Sequence, residues 1–370
     1  MIGRCNKVDT RCIYIMKNEI TGGGLIVKKH RWFFPNFPAV VFVLIFIISS
    51  CGQEKEALVL WPEIEPFETD YIRVSSIHEL YYELCGNPDG KPVFILHGGP
   101  GGGSSPLYRR FFNPEKFLIV QHDQRGSGKS RPYADIRENT TQHLVEDIET
   151  LRQHLNLDKV LIFGGSWGST LGIAYGETYS ESVSGMILRG IFTGAQDEID
   201  HFYHGGVRPF FPETYETLEM SVEESERKSI HHALLKRVES DDPAVRDKYA
   251  MIWAKYEYKV GTLYTDDEMM AEVDQTDPNV FLAFAVMENY YMANDCFLEE
   301  DQLLREADKI ADIPIVLVNG RYDMICPPVN AYRLHKLLPK SKLVIAEEAG
   351  HWLGDRPVER ALLEAVQTFE

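Results

Sequence analysis

Cysteine is scarce in this chain, six residues in 370, and none forms a CxxC pair. A disulfide framework and a zinc site of ordinary spacing are both excluded, because each needs several thiols at fixed intervals. Basic charge is also short: 38 Lys and Arg stand against 56 Asp and Glu, a formal net charge of −18. A phosphate backbone recruits cations, so an acidic chain without a basic, aromatic-interleaved groove is no nucleic-acid binder. No repeat of 20–50 residues and no low-complexity tract follows residue 70, which removes solenoids and propellers. Gly126-Ser-Gly-Lys-Ser130 is too short for the phosphate cradle GxxxxGK[ST], which removes a nucleotide site of that kind.

Only one long apolar run is present. Lys28-Lys29-His30-Arg31 precedes it, it extends from Pro38 to Ser49, and it stops at Ser50-Cys51-Gly52. That is the grammar of a secretory signal, with an apolar run shorter than a spanning helix needs, and Ile48-Ser-Ser-Cys51 resembles a bacterial lipobox. The expectation is a lipoprotein-type signal peptide over 1–50 and lipidation at Cys51. The product would be an exported lipoprotein held at a membrane, on the periplasmic or outer-membrane side; an uncleaved anchor is the alternative. Residues 1–50 hold seven of the Lys and Arg and two of the Asp and Glu, leaving 31 against 54, a formal charge of −23. So acidic a body gains nothing from anionic lipid, and the acyl chains alone would anchor it. Cys85, Cys296 and Cys326 then read as free thiols.

What is abundant is core material, 44% hydrophobic and 11% aromatic. Short apolar runs at Val93–Leu96, Phe117–Val120, Val160–Phe163, Val183–Leu188, Ile315–Val318 and Leu343–Ile345 alternate with helical patterns, the rhythm of a parallel sheet. Between two of them, Leu144, Ile148, Leu151 and Leu155 recur at helical spacing over Thr141–Asp158, a helix for one face of that sheet. The strand rhythm stops near Phe192 and resumes after Leu304. The fold class is α/β, a mostly parallel sheet with helices on both faces and an inserted helical cap. The expected organisation is a linker over 51–70, core over 71–191 and 305–370, and cap over 192–304.

The stretch GGSWGSTLG, Gly164 to Gly172, follows the run Val160–Phe163 and opens a helix. A serine between glycines at a strand-to-helix turn is the context of a nucleophile elbow, which projects its hydroxyl past the sheet edge. A hydroxyl is a poor nucleophile without a histidine to take its proton and a carboxylate to orient that histidine. In the α/β-hydrolase order Ser, acid, His, the candidates are Ser166, then Asp323 after Ile315–Val318, then His351 after Leu343–Ile345. An oxyanion needs donors, and the loop His97-GGPGGG-Gly103 follows a strand where such a loop belongs. The N–H of Gly99 and that of Trp167 are the candidates, with His97 bracing the loop.

HGGPGGG, DQRGSGKS, GGSWGST, LRGIF, GRYD and GHW, in this order between Tyr82 and Trp352, resemble the proline iminopeptidase family of α/β hydrolases. The resemblance implies a serine aminopeptidase that releases N-terminal proline from peptides through a prolyl-serine acyl-enzyme. An esterase or amidase for another small acyl group, and a non-catalytic hydrolase-fold binding protein, remain open. The resemblance also implies acids in the cap that read the prolyl ammonium, at Glu257 in WAKYEY and Glu288 in MENYY. A buried ammonium demands carboxylate partners. Tyr256, Tyr258, Tyr290 and Tyr291 either box the pyrrolidine ring or belong to the cap core. Phe192, Phe202, Tyr203, Phe210 and Phe211 are ambiguous and stay outside the predicted site. His201 with His204, and His231 with His232, lack a third ligand, so no metal and no cofactor is expected. Asp123, Arg125 and Arg189 read as structural ion pairs around the site.

Overall fold

The computed structural model describes residues 58–264 and 267–370; the signal segment and Cys51 lie outside them. Eight strands form one sheet in the order β1-β2-β4-β3-β5-β6-β7-β8. Six of them, β3 (Lys91–Leu96), β4 (Phe117–His122), β5 (Val160–Ser166), β6 (Val183–Ile191), β7 (Ile315–Gly320) and β8 (Ser341–Ala346), pair in parallel. Helices cover both faces of the central strands, so their sequences read as unbroken apolar runs.

Two further strands escape the sequence pattern: β1 (Glu68–Arg73) and β2 (Glu79–Gly86), which join antiparallel at one edge. In β1 the edge position leaves most residues exposed, and β2 buries Glu83 among its apolar residues, so neither shows a clean apolar run. β1 therefore begins inside the segment read as linker. The helix expected over Thr141–Asp158 spans Thr141–His154, capped at its start by the Thr140 side chain on the His143 N–H. It stops early because Asn156 adopts φ +54°, a left-handed value that ends a helix.

In chain order the helices used below are α1 (Thr141–His154), α2 (Trp167–Thr178), α3 (Gln196–Tyr203), α4 (Pro243–Gly261) and α5 (Pro278–Met292). Between β6 and β7 the described residues are helical or irregular. α4 and α5 each start with Pro at the first helical position behind an Asp cap, Asp242 and Asp277. The missing Pro N–H costs nothing there, and the carboxylate satisfies a free backbone donor. The last residue of α3 locks onto α4: Tyr203 stacks on Trp253, with ring centroids 5.1 Å apart and planes 7° from parallel.

Candidate active site

β5 delivers Ser166 at the sheet's C-terminal edge with φ +57° and ψ −128°, a strained conformation for a residue with a side chain. The neighbouring glycines are required by distance. A Cβ on Gly164 would lie 2.2 Å from the Gly168 carbonyl oxygen, and one on Gly168 would lie 2.1 Å from that of Leu96. Strand, elbow and the loop after β3 are thus packed backbone to backbone.

Asp323 and His351 arrive on the loops after β7 and β8, and His351 Nδ1 lies 2.8 Å from Asp323 Oδ2. Asp323 is buried, and its other oxygen accepts the N–H groups of Ile325 and Cys326 at 3.1 and 2.8 Å. A carboxylate so placed holds the histidine as the Nδ1–H tautomer, leaving Nε2 as a base. His351 is fixed through its backbone as well, donating its N–H to the Gly261 carbonyl at the end of α4, 3.1 Å. Gly190 (φ +55°) presses on this pair: a Cβ there would lie 3.0 Å from His351 Cε1 and 3.4 Å from Asp323 Oδ2. In the described hydrogen bonds Nε2 meets Arg189 Nη1, at 3.3 Å, and not Ser166 Oγ. Arg189 also donates to the His351 carbonyl at 2.7 Å.

Of the three residues read as members of structural ion pairs, only Arg125 forms one among the described residues. Arg125 grips Asp147 with two bonds of 2.7 Å in the interior. Asp123 instead accepts from the Ser104 N–H and Oγ and the Lys129 N–H, tying two loops together. Arg189 has no ion pair among the described residues and serves His351. Sequence reasoning missed these because ion pairing depends on which loops the fold brings together.

The loop His97–Gly103 is braced as read from the sequence. Gln124 donates its N–H to His97 Nε2 at 3.0 Å and its side-chain amide to the His97 carbonyl at 2.9 Å. Burial pushes the His97 imidazole below its ordinary range, so it stays neutral. Trp167 Nε1 donates to Gln124 Oε1 at 3.0 Å, so elbow and loop share one hinge residue. As the first residue of α2, Trp167 has a backbone N–H that intrahelical bonding leaves free.

Ser166 opens into a pocket lined by Gly99, Phe192, Glu198, Phe202, Glu288 and Cys326, among others. Its volume is only about 20 Å³, room for roughly one water, so the lining must part to take in a ring. Glu288 is buried and accepts from Trp253 Nε1 at 2.8 Å. Burial, then the charge of Glu257, lifts its carboxyl well above the ordinary range. Glu257 is partly buried, and its Oε2 is sealed from solvent without a partner. Burial, then Asp323, pushes its carboxyl up to about 8.

The structure decides two points about this pocket. The four tyrosines do not line it. Tyr256 donates to the Phe202 carbonyl at 2.6 Å, Tyr291 packs edge-on to Trp167 with centroids 4.7 Å apart, Tyr290 rests on Phe297, and Tyr258 lies between Phe281 and Trp352. They brace the walls from behind, while Phe192, Phe202 and Tyr203, left outside the predicted site, form them. Phe210 is exposed. Glu198 was missed altogether: it sits in DEID without a motif, yet it is buried, accepts the N–H of Thr193 at 2.7 Å and of Ala195 at 3.2 Å, and is lifted by burial to about 7. No set of three His, Cys, Asp or Glu is arranged for a metal among the described residues.

The family described as alpha/beta hydrolase fold matches residues 91–355. The proline iminopeptidase of Xylella fastidiosa (strain Temecula1 / ATCC 700964) is 46% identical over 311 residues, 84% of this chain and 99% of that protein. The Arabidopsis thaliana proline iminopeptidase is 44% identical, covering 85% of this chain and 88% of its own. A probable proline iminopeptidase of Leptolyngbya boryana is also 44% identical, over 84% and 96%. Among solved structures, an esterase from Exiguobacterium antarcticum superposes with a TM-score of 0.58 at 19% identity, covering 82% of this chain and 99% of that one. That level of identity speaks for the fold alone. The chain belongs to the proline iminopeptidase family of α/β hydrolases.

Proposed function

We propose that the protein is a serine aminopeptidase that removes an N-terminal proline from peptides. The observation that carries this reading is the pocket in front of Ser166, with aromatic walls and a buried Glu288; Glu257 is not among its lining residues, but its charge acts on Glu288 and one of its oxygens is buried without a partner. Apolar walls suit a pyrrolidine ring, and carboxylates suit the secondary ammonium it carries.

In this reading His351 Nε2 exchanges Arg189 for Ser166 Oγ as the substrate seats, a tightening common in hydrolases. Nε2 takes the hydroxyl proton as Oγ bonds to the prolyl carbonyl carbon, and the N–H groups of Gly99 and Trp167 hold the oxyanion. The imidazolium, steadied by Asp323, gives that proton to the leaving amine as the C–N bond breaks, leaving a prolyl-serine ester. Water repeats the sequence: it yields a proton to Nε2, attacks the ester, and Ser166 recovers its proton. A free-amine prolyl arylamide, run beside alanyl and leucyl arylamides and a simple ester, tests this. Proline should be preferred by at least about ten-fold, a difference of about 1.4 kcal/mol. Equal rates on all arylamides, or turnover of the ester alone, would replace the reading with a general serine hydrolase.

The same proposal places the enzyme outside the cytoplasm, tethered through Cys51. Its support is the basic cluster, the apolar run and Ile48-Ser-Ser-Cys51. Labelled fatty acid should enter the wild type and not Cys51→Ser; equal labelling of both would rule the tether out.

A further inference from the structure

A second cavity, a cleft of about 520 Å³, opens along the same glycine loop whose Gly99 lines the serine pocket. Gly101 and Gly102 form one wall, Lys129 and Arg131 from the segment GSGKSR form another, and Tyr133 with Asn279 at the start of α5 closes it toward the cap. Tyr133 Oη donates to the Asn279 carbonyl at 2.6 Å and accepts the Ala283 N–H at 3.2 Å, so the cleft is built where core loop and cap helix are bonded together.

The two cations stand out in so acidic a chain. Neighbouring arginines are paired, Arg73 with Glu79 and Arg137 with Asp135. Lys129 and Arg131 form no ion pair among the described residues; each rests on a tyrosine. Lys129 Nζ lies 4.3 Å from the ring centre of Tyr81 and 3.2 Å from its Oη, and the Arg131 guanidinium makes the same two contacts with Tyr71 at 4.3 and 3.2 Å. A cation on a ring face is held in place without a close ion pair; the carboxylates of Glu83 and Asp123 act on Lys129 only from beyond ion-pair distance. The end of α5 adds nothing here, because Asp277 already caps it.

Resting on the aminopeptidase reading, we propose that this cleft binds the terminal carboxylate of the leaving peptide, so that the enzyme favours short peptides with a free C-terminus. The glycine loop links the serine pocket to the cleft. Gly99 lines the serine pocket and Gly101 and Gly102 line the cleft, and two or three residues of chain span at most about 7–11 Å. A leaving peptide of two or three residues covers the same span from the scissile bond. Longer chains would carry their carboxylate past the cations, and an amidated end offers them nothing.

The test measures kcat/KM for Pro-Gly, Pro-Gly-Gly and Pro-Gly-Gly-Gly, each as free acid and as amide, beside a prolyl arylamide. The acid should exceed the amide by about ten-fold at one peptide length, the size of two solvent-exposed charge contacts, and the ratio should shrink at high salt. In Lys129→Gln/Arg131→Gln the acid-to-amide ratio should fall to near one, whereas Lys129→Arg should keep it. An acid-to-amide ratio of one at every length in the wild type overturns the inference while leaving the aminopeptidase reading intact. So does a double variant that slows acid and amide equally, because the cations would then only support the loop. Failure to cleave the arylamide as well would sink the aminopeptidase reading itself.

Discussion

Replacing Glu257 by Gln tests the chemistry of the cap most directly. Burial and then Asp323 lift this carboxyl from 4.5 to about 8, and burial and then Glu257 lift Glu288. Near pH 7 Glu257 is therefore protonated by about ten to one, and a substrate ammonium must expel that proton to gain a carboxylate. Expulsion costs about 1.4 kcal/mol near pH 7 and little above pH 8. The wild-type kcat/KM for a free-amine prolyl substrate should thus climb roughly ten-fold across that range, until the substrate amine itself deprotonates. Glu257→Gln removes both charge and titration. The loss of a charge-assisted hydrogen bond, about 1.5–3 kcal/mol, lowers kcat/KM by roughly ten-fold to over a hundred-fold and flattens the climb. A small neutral ester, which uses the same serine, should be spared.

Stability gives an independent check with a definite sign. A carboxyl whose folded pKa is raised above its unfolded value contributes stability that is fully present below about pH 4.5 and is lost as pH rises through about 8. Gln cannot ionise, so Glu257→Gln should match the wild type in thermal denaturation near pH 5 and exceed it near pH 9. If the ester slows as severely as the prolyl amide, or the stability difference is the same at both pH values, Glu257 supports the cap and reads no ammonium.

Three further changes probe the frame. Ser166→Ala should cut turnover by several orders of magnitude, and Ser166→Gly should do the same while raising the melting temperature, because glycine relieves a φ of +57° worth about 1–3 kcal/mol; unchanged activity in either ends the triad reading. Gly190→Ala inserts a methyl 3.0 Å from His351 Cε1, so kcat should fall about a hundred-fold for ester and amide alike, since a misplacement of about 1 Å costs that much; a wild-type kcat would mean the pair tolerates displacement. Asp147→Ala leaves buried Arg125 without a carboxylate, held only by the Glu138 carbonyl, and denaturant unfolding should show a loss of about 3–5 kcal/mol; a loss below about 1 kcal/mol would mean that carbonyl and water suffice for the guanidinium.

The sequence alone carried the features whose cause is local. The elbow was legible because glycines at Gly164 and Gly168 answer to backbone contacts within a few residues and to one adjacent strand. Asp323 and His351 were legible because chain order and strand ends place them, whatever the distant surroundings. The parallel strands announced themselves because burial on both faces leaves little room for polar residues. Tertiary structure decided everything that depends on which surfaces meet. β1 and β2 were hidden because an edge strand keeps an exposed face and β2 buries a glutamate. Glu198 had no signal, since its neighbours in sequence are solvated acids and only the fold of α3 turns it onto the pocket. The cap aromatics could not be sorted by composition: helical spacing puts Tyr256, Tyr258, Tyr290 and Tyr291 on cap helices, but their rings pack behind the wall and Phe192 and Phe202 reach through it. Arg189 was read as a partner for a carboxylate and instead holds His351, because β6 and the loop after β8 are distant in sequence and meet only once the sheet has closed around the site.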